Sequence, residues 1–394
     1  KRFMNPKLKY ILSCSGKNHY VDIAKILSNK NQLSKIICGY PWFKIKKYNI
    51  DKEYVSANGL YRILREPFIS QKKFKRIDDY LNNLNSKNID KITSNHINKI
   101  DNADVLIGFA GVSLNSGKLM RKKKKIYVCD STSAHIQEQN NILAEEYKEF
   151  LKEKFSIDQK VIDYKIGEYE NANFILTPST FVKKSFEKFN FSNIKKLELA
   201  ADTSLFYPIN EIKKNKNSFD IIFVGNISVQ KGVHYLIEAF KKFKHPNKKL
   251  HIVGSQTVDK DFFFDKIKDD RIVVYGHMNQ EKLNKIINKC HVNVLPSIQD
   301  GFGLVVPQAA AAGCPSIVSE NAGASDIVKK NKSGFSVTAR NSNTILEKLQ
   351  LLADDKNLLI EMSQNALQYS DMYSWEDYVT KLINLINNLK HQSN

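Results

Sequence analysis

The sequence predicts an α/β protein built from two doubly wound parallel sheets, and two observations support this fold class. Short apolar runs rich in β-branched residues alternate with helical patterns along the whole chain, which is typical of parallel sheets covered by helices. These runs fall into two series separated by a polar stretch, and 394 residues are enough for two domains of roughly 150 to 200 residues each. We therefore expect two facing sheets with a cleft between them.

The first series of strands runs through the N-terminal half of the chain. The predicted strands are residues 9–13, 35–39, 104–109, 126–129 and 174–177. A helix is predicted over residues 19–28, because its apolar positions recur at spacings of three and four, as one face of an amphipathic helix requires. This pattern indicates a first domain over residues 1–205.

The second series follows the polar residues 209–218, which read as a linker. Its predicted strands are residues 220–224, 250–253, 272–275, 292–295 and 316–318. We expect a second domain over residues 206–374 and a C-terminal helix, residues 375–394, that crosses back to the first domain. Ligands of such sheets bind at the carboxyl ends of the strands, so a ligand in the cleft would meet loops from both domains.

Charge and composition bound the choice of partners. The chain carries a net charge of +20, and residues 1–210 hold 37 of the 61 basic and 22 of the 41 acidic residues, a net +15. Such a field attracts nucleic acid, anionic lipid and phosphorylated substrates alike, and a compositional bias toward Lys and Asn is an equal alternative. The five cysteines are scattered singly, which favours a reducing cytoplasm, and no run approaches the roughly 18 to 20 apolar residues of a membrane span. A soluble or peripheral protein is expected.

The most informative segment is residues 295–325, which read LPSIQDGFGLVVPQAAAAGCPSIVSENAGAS. An acidic residue precedes Gly-Phe-Gly at the end of a predicted strand, and an Ala-rich helix follows. Glycines there let backbone N–H groups approach a ligand, and the start of a helix favours a phosphate. The segment therefore predicts a binding loop for a phosphorylated ligand.

This segment resembles the signature of the retaining glycosyltransferases of family 4, which is Glu-Gly-Phe-Gly-Leu, a second Glu eight positions after the first, and Ala-x-x-x-Gly-x-Pro. Asp300 stands at the first Glu and Gln308 at the second. The resemblance continues through FVGNISVQKGVHYLIEAF, VYGHMNQEKL, VLPS and LAADTSLFYP, and more loosely through SCSGKNHYVDIAKIL and DSTSAHIQEQ. It implies the GT-B fold of two facing Rossmann-like domains. The implied activity is transfer of a hexose from a UDP- or GDP-sugar to a glycan or lipid-linked acceptor, with retention at the anomeric carbon, in the synthesis of surface polysaccharide or glycoconjugate.

The resemblance also implies roles for residues of the second domain. Asp300 would contact donor-sugar hydroxyls beside the reacting carbon, Gln308 would hold the ribose, and Lys231 would neutralise the diphosphate as it leaves. The backbone N–H groups of four signature residues would meet the sugar and the distal phosphate: Phe302, Gly303, Leu304 and Val305. The other two donor-binding candidates lie in the turn that precedes Lys231: Gly225 and Asn226. For Gly225 a tight turn without ligand contact is the alternative, and Asn226 stands where relatives often carry Arg.

The resemblance implies that the first domain binds the acceptor and the second domain the nucleotide-sugar donor. In the first domain it implies three further candidates. Gly16 would let the first loop reach the donor from the opposite domain, and His135 would sit near the transferring sugar as a catalytic residue. His19 either belongs to this donor or acceptor loop or packs on the sheet. Glu145 and Glu146, adjacent on a predicted helix, are expected to be solvated.

No metal or other cofactor is expected, because no Asp-x-Asp follows a strand where it could hold a cation on the diphosphate. The stretches PWFKIKKY and KKFKR interleave cations with aromatics, which suits an anionic membrane, and an ordinary solvated surface is the alternative. We therefore expect a cytoplasmic protein, peripheral on the inner face of the cell membrane.

Three alternatives stay open. The shorter Asp300 and the neutral Gln308 are compatible with a catalytically weakened homologue, and an epimerase or phosphorylase could use the same two-domain fold. A nucleic-acid-binding protein is disfavoured, because no such motif is present and the predicted phosphate-binding framework lies in the less basic half.

Overall fold

The computed structural model describes residues 7–16, 19–69, 72–100, 102–201, 203–256, 259–369 and 374–392. Within them the chain forms a seven-stranded sheet followed by a six-stranded sheet. Neighbouring strands in both sheets are parallel. The predicted fold class, two doubly wound α/β domains, is confirmed.

The N-terminal sheet has the strand order β3-β2-β1-β4-β5-β6-β7. Its strands are β1 (Tyr10–Cys14), β2 (Leu33–Cys38), β3 (Val55–Ala57), β4 (Val105–Phe109), β5 (Ile126–Asp130), β6 (Phe174–Thr177) and β7 (Ile194–Lys196). Its helices are α1 (Tyr20–Asn29), α2 (Trp42–Ile45), α3 (Leu60–Arg65), α4 (Lys75–Lys99), α5 (Leu114–Lys122), α6 (Ile136–Glu146), α7 (Gln159–Asn171) and α8 (Thr180–Glu187). Short 3₁₀ turns at Lys46–Tyr48, Lys52–Tyr54 and Lys72–Phe74 join the elements around α2 to α4, and a π-helical turn, Tyr147–Leu151, extends α6.

The C-terminal sheet has the order β10-β9-β8-β11-β12-β13. Its strands are β8 (Phe219–Val224), β9 (Lys248–Val253), β10 (Ile272–Val274), β11 (Val292–Leu295), β12 (Ser316–Ser319) and β13 (Gly334–Val337). The helices are α9 (Val233–Lys242), α10 (Lys260–Phe264), α11 (Gln280–Lys289), α12 (Val305–Ala311), α13 (Ser325–Asn331), α14 (Ser342–Asp354), α15 (Lys356–Tyr369) and α16 (Trp375–Gln392).

Ten of the strands lie within two residues of their predicted positions, and the three that the sequence pattern missed are β3, β7 and β13. All three are edge strands of their sheets and are only partly buried. Their sequences are Val-Ser-Ala, Ile-Lys-Lys and Gly-Phe-Ser-Val. A buried parallel strand reads as a continuous apolar run, and these three do not.

The last helix belongs to the first domain's core. Tyr378, Val379 and Leu382 of α16 are buried in the same apolar cluster as Tyr20 and Ile23 of α1. The amphipathic period of α16 places these residues on one face of the helix. The chain has thus returned from the second domain to the first by the start of α16.

A second junction between the domains is made by α6 and its π-helical extension. Phe150 packs on His234 and Tyr235 of α9, with ring centroids 4.5 and 5.4 Å apart. Glu146, which the sequence led us to expect in solvent, is fully buried, with its carboxylate 2.9 Å from His234 Nε2 and 2.8 Å from Arg340 Nε. That expectation is wrong for Glu146 because its helix is covered by the other domain.

Candidate functional site

A cavity of about 470 Å³ lies between the two sheets, at the carboxyl ends of their strands. The lining residues of the N-terminal domain are His19, Phe109, Thr132 and Leu199. The other lining residues are Val224, Lys231, Leu295, Asp300, Phe302, Gly303, Leu304, Val305 and Trp375. The position is the one expected for a ligand shared by two doubly wound domains.

Asp300 opens the loop after β11 that carries Gly-Phe-Gly. The backbone N–H of Asp300 donates to Asn321 O at 2.9 Å, and the N–H of Gly323 donates to Asp300 O at 3.1 Å, so the loop is tied to the chain that follows β12. Phe302 is buried in the apolar core beneath it. These contacts hold the Asp300 carboxylate at the cavity wall.

Gly301 is the point where this loop meets the opposite domain. Ser179 Oγ, at the start of α8, donates to Gly301 O at 2.9 Å. A Cβ at residue 301 would overlap the backbone carbonyl of Thr132, so only glycine fits this approach. The two domains are therefore in direct backbone contact beside the cavity.

Lys231 lies opposite the Asp300 loop, and its Nζ donates to Asp300 Oδ2 at 2.6 Å. Its position is set by Gly232, which has φ +64° and caps α9 where a Cβ would overlap the carbonyl oxygen of Pro296. The ammonium is thereby held over the carboxyl ends of β8 and β11. An ion pair between partly buried side chains at a cavity wall can open to give one cation and one anion to a polar ligand.

The remaining candidates of the second domain surround this pair. Gly225 follows β8 directly, and its N–H donates to Val253 O at 2.9 Å, while Asn226 beside it is exposed. Gln308 is half-buried on α12, one turn beyond Leu304. These three positions adjoin lining residues but are not part of the cavity wall.

On the N-terminal side, His19 faces the cavity from the start of α1. Its Nε2 lies 2.9 Å from Oδ2 of the buried Asp130, at the end of β5. Its ring is stacked on Trp375, with centroids 5.7 Å apart and an interplanar angle of 1°. Gly16 lies in the same loop, with open space within 4 Å of the position a Cβ would take, and it is outside the cavity wall. Because Asp130 engages Nε2, Nδ1 is the ring nitrogen left to face a ligand.

His135 is not at the cavity. It precedes α6, is 1% exposed, and its Nδ1 accepts the Gln137 N–H at 3.3 Å. Its ring stacks on Phe189, with centroids 4.2 Å apart, inside an aromatic cluster with Phe186 and Tyr169. Burial lowers the pKa of His135 to about 4, so the ring is neutral near pH 7. The sequence-based expectation of a catalytic His135 beside the transferring sugar is not met by this geometry, because the residue caps a helix and fills the core.

Six lining residues were missed by sequence reasoning: Phe109, Thr132, Leu199, Val224, Leu295 and Trp375. The buried Asp130 behind His19 was missed as well. Asp130 carried a usable signal, since an acidic residue at the end of a buried parallel strand points to a ligand site. Trp375 carried none, because it reaches the cavity only through the return of α16.

The described residues contain no group of three or more His, Cys, Asp or Glu placed to hold a metal ion. The chemistry available at the cavity is one ammonium, one carboxylate and one imidazole backed by a second carboxylate. Such a set can bind a phosphorylated polar ligand and stabilise negative charge that develops on it.

Comparison with known proteins agrees with this picture of the fold. Residues 209–369 match a family model described as glycosyl transferases group 1. A glycosyltransferase of Methanocaldococcus jannaschii, uncharacterized by name, is 31% identical over 171 residues, covering 42% of this chain and 44% of the relative. A capsular polysaccharide biosynthesis glycosyltransferase of Staphylococcus aureus is 29% identical over 203 residues, covering 49% of this chain and 50% of the relative. The matches thus span about half the length of these relatives or less.

The fold comparison extends over the whole chain. The crystal structure of a sucrose-phosphate synthase from Thermosynechococcus elongatus superimposes with a TM-score of 0.72 at 16% identity, covering 98% of this chain and 100% of the other. At that identity the likeness concerns the fold alone. The chain has the GT-B architecture that the resemblance implied.

Proposed function

We propose that the protein is a retaining glycosyltransferase, from the premise that residues 209–369 match the glycosyl transferases group 1 family. It moves a hexose from a UDP- or GDP-sugar to a glycan or lipid-linked acceptor in the synthesis of surface polysaccharide or glycoconjugate. The observation that carries the proposal is the Lys231–Asp300 ion pair in the cavity between the domains. It supplies one cation and one anion where the donor would bind.

In the proposed reaction, the donor diphosphate displaces Asp300 from the Lys231 ammonium. Lys231 then stabilises the charge that grows on the diphosphate as the glycosidic bond breaks, and Asp300 accepts hydrogen bonds from hydroxyls of the donor sugar. Backbone N–H groups from Phe302 to Val305 complete the contacts to sugar and phosphate, and Gln308 holds the ribose. The cation and the dipoles perform the task that a metal has in other transferases, so no cofactor is proposed.

We propose His19 as the N-terminal residue beside the transferring sugar. Asp130 and Trp375 fix its ring from two sides, and a fixed ring costs little reorganisation when it accepts or donates a hydrogen bond. Gly16, in the same loop, allows the backbone to come close to the donor from this domain.

The test is a screen of UDP-, GDP- and other nucleotide-sugars by thermal shift, followed by hydrolysis of the best binder in the presence of EDTA. We expect one UDP- or GDP-sugar to raise the unfolding temperature. Slow hydrolysis of that donor should be unchanged by the chelator, because Lys231 takes the place of a metal.

Other outcomes of this screen would favour one of the alternatives. Binding without hydrolysis or transfer would identify a catalytically weakened homologue. Activity that disappears with EDTA and returns with manganese would contradict the metal-free mechanism. If no nucleotide-sugar binds while nucleic acid does, the proposed function is wrong.

We also propose that the protein works at the cytoplasmic face of a membrane as a peripheral protein. No helix within the described ranges is long and apolar enough to cross a bilayer. The segment from α2 to the start of α4 exposes large apolar side chains, of which Phe43 is 68% and Tyr80 is 63% exposed, among many cations. We call this surface the basic-aromatic patch; it comprises Tyr40, Phe43, Lys44, Lys46, Lys47, Leu60, Arg62, Ile63, Arg76 and Tyr80. Rings at headgroup level and cations on anionic lipid suit such a surface.

Removing the charges of Lys44, Lys46 and Lys47 by substitution with Gln should weaken binding to anionic vesicles. Each cation near such a surface contributes on the order of 1 kcal/mol at physiological salt, so the loss should exceed tenfold and wild-type binding should fall as salt is added. Co-sedimentation with vesicles containing phosphatidylglycerol measures it. A triple variant at Lys91, Lys99 and Lys118, which are exposed outside the patch, is the matched control. Equal wild-type binding to neutral and anionic vesicles would contradict the proposal.

A further inference from the structure

A second cavity, of about 300 Å³, adjoins the site on the N-terminal domain. It lies between α4 and α7 and is closed at one end by the loop after β4. Phe109, the last residue of β4, lines both this cavity and the one that holds Lys231 and Asp300. The two spaces therefore meet at one side chain.

A third cavity, of about 540 Å³, continues in the other direction along α4. It shares Asn82, Asn83, Asp158 and Val161 with the second cavity, and its far end is lined by Arg76 and Tyr80 of the basic-aromatic patch. The second and third cavities together form what we call the α4–α7 groove. This groove extends from Phe109, at the border of the candidate catalytic cavity, to the surface proposed to face the membrane.

The second cavity of the groove carries cations. Lys87 of α4 and Lys160 and Lys165 of α7 line the second cavity, with Asp158 as the acidic residue there. Lys165 is only partly exposed; burial lowers its pKa, while the nearby Glu168 acts in the opposite direction. The excess of positive charge is suited to an anionic group, and a partly buried lysine binds such a group more strongly than a solvated one.

Polar groups that can bind sugar hydroxyls line the second cavity as well. Ser15, from the loop after β1, and Ser86 line the second cavity beside Phe109. Phe109 offers a ring face, on which the apolar face of a sugar can pack. The second cavity, which Phe109 borders, thus combines sugar-binding groups with cations, and the third cavity leads from it to the basic-aromatic patch.

We propose that the α4–α7 groove binds the acceptor, and that the acceptor is a saccharide joined through a phosphate or diphosphate to a lipid. Its terminal sugar lies at Phe109, next to the donor cavity. Its phosphate lies on Lys87, Lys160 and Lys165, and its lipid continues past Arg76 and Tyr80 into the bilayer. The inference rests on the proposed transferase function, since it assigns the second substrate of that reaction.

The test compares vesicles of neutral phosphatidylcholine that carry either a polyprenyl diphosphate or phosphatidylglycerol at equal charge. We expect wild-type protein to bind the diphosphate-bearing vesicles more tightly. The K87Q/K160Q variant should lose about tenfold of that preference, because two charge-assisted contacts to the phosphate are removed. Both side chains are exposed, so the fold should be retained, and K165Q should act in the same direction.

The controls separate this inference from the proposed function. K44Q/K46Q/K47Q should weaken binding to both kinds of vesicle equally, and the Lys91, Lys99 and Lys118 variant should change neither. Nucleotide-sugar binding and donor hydrolysis by K87Q/K160Q should match wild type, because the groove lies outside the donor cavity.

Two outcomes would contradict the inference. If the nucleotide-sugar binds but the wild-type protein shows no preference for diphosphate-bearing vesicles over phosphatidylglycerol vesicles, the groove assignment is wrong while the transferase proposal stands. The same holds if K87Q/K160Q leaves the preference unchanged. If free inorganic pyrophosphate binds as tightly as the polyprenyl diphosphate in vesicles, the lipid contributes nothing to binding, and a soluble phosphorylated acceptor replaces the lipid-linked one.

Discussion

Replacing Lys231 by alanine should lower kcat at saturating donor by a factor of about 100 or more. The reason is that Lys231 meets charge that appears only as the glycosidic bond breaks, so its removal destabilises the transition state more than the bound donor. Steady-state transfer, or donor hydrolysis if the acceptor is still unidentified, measures kcat and KM separately. Lys241→Ala, on the exposed side of α9, is the control for loss of a lysine from the same domain.

Variants at Asp300 and Gln308 would separate effects on the chemical step from effects on donor binding. Asp300→Asn should also depress kcat, whereas Gln308→Ala should chiefly raise KM, since contacts to the ribose change little along the reaction. Gln308→Glu should leave donor binding near normal, because a carboxylate is also a ribose ligand. If Lys231→Ala and Asp300→Asn both turn over like wild type, the candidate site lies elsewhere in the protein.

Gly301→Ala should reduce transfer by about 100-fold through geometry alone, because a shift on the order of 1 Å in a reacting pair is enough for such a loss. The added Cβ would overlap the carbonyl of Thr132, which is backbone and cannot rotate away, so the Asp300 loop and the opposite domain must separate. Turnover of the donor measures the loss, and thermal unfolding reports whether both domains remain folded.

Gly167→Ala is the matched control for this variant. Residue 167 lies within α7, and the nearest atom to its added Cβ is Leu114 Cδ1 at 3.0 Å, the flexible end of a side chain. We expect near-normal activity there, helped by the better helix propensity of alanine. Wild-type turnover by Gly301→Ala would mean that catalysis does not require the domain contact seen beside the cavity.

The alternation of strands and helices was readable from the sequence because most strands of both sheets are buried on two faces. Such strands are continuous apolar runs, and ten of them lie within two residues of the predicted positions. The strands β3, β7 and β13 escaped prediction because residues such as Lys195 and Lys196 are exposed and interrupt the pattern. Half-buried short strands take their stability from a neighbour rather than from their own side chains.

The two charged residues of the cavity lie on motifs that resemble those of the glycosyltransferase family. Lys231 and Asp300 were singled out through that resemblance, and the structure brings their side chains to 2.6 Å. His135 and His19 could not be ranked in this way, because each lies beside a predicted strand end. Only the fold reveals that aromatic rings enclose His135, while His19 faces the cavity with Asp130 behind it.

The expectation that Glu146 is solvated was wrong because its partners are distant in the sequence. Glu146 looks solvated on its own helix, yet its partners His234 and Arg340 are supplied by the other domain, 88 and 194 positions along the chain. A carboxylate buried in this way requires both domains to be in place, since one left without its partners is strongly destabilising. Local periodicity holds no information on such pairs.

The return of α16 to α1 also bears on how the protein is made. During synthesis the first domain emerges with Tyr20 and Ile23 still lacking the side chains of Tyr378 and Leu382 that cover them in the finished core. Domains generally fold as units from the N-terminal side, but here the first core is completed only after the ribosome has passed the second. Apolar surface of the first domain therefore stays exposed while the second domain folds. The core of the first domain is completed after that of the second, although the first is synthesised earlier.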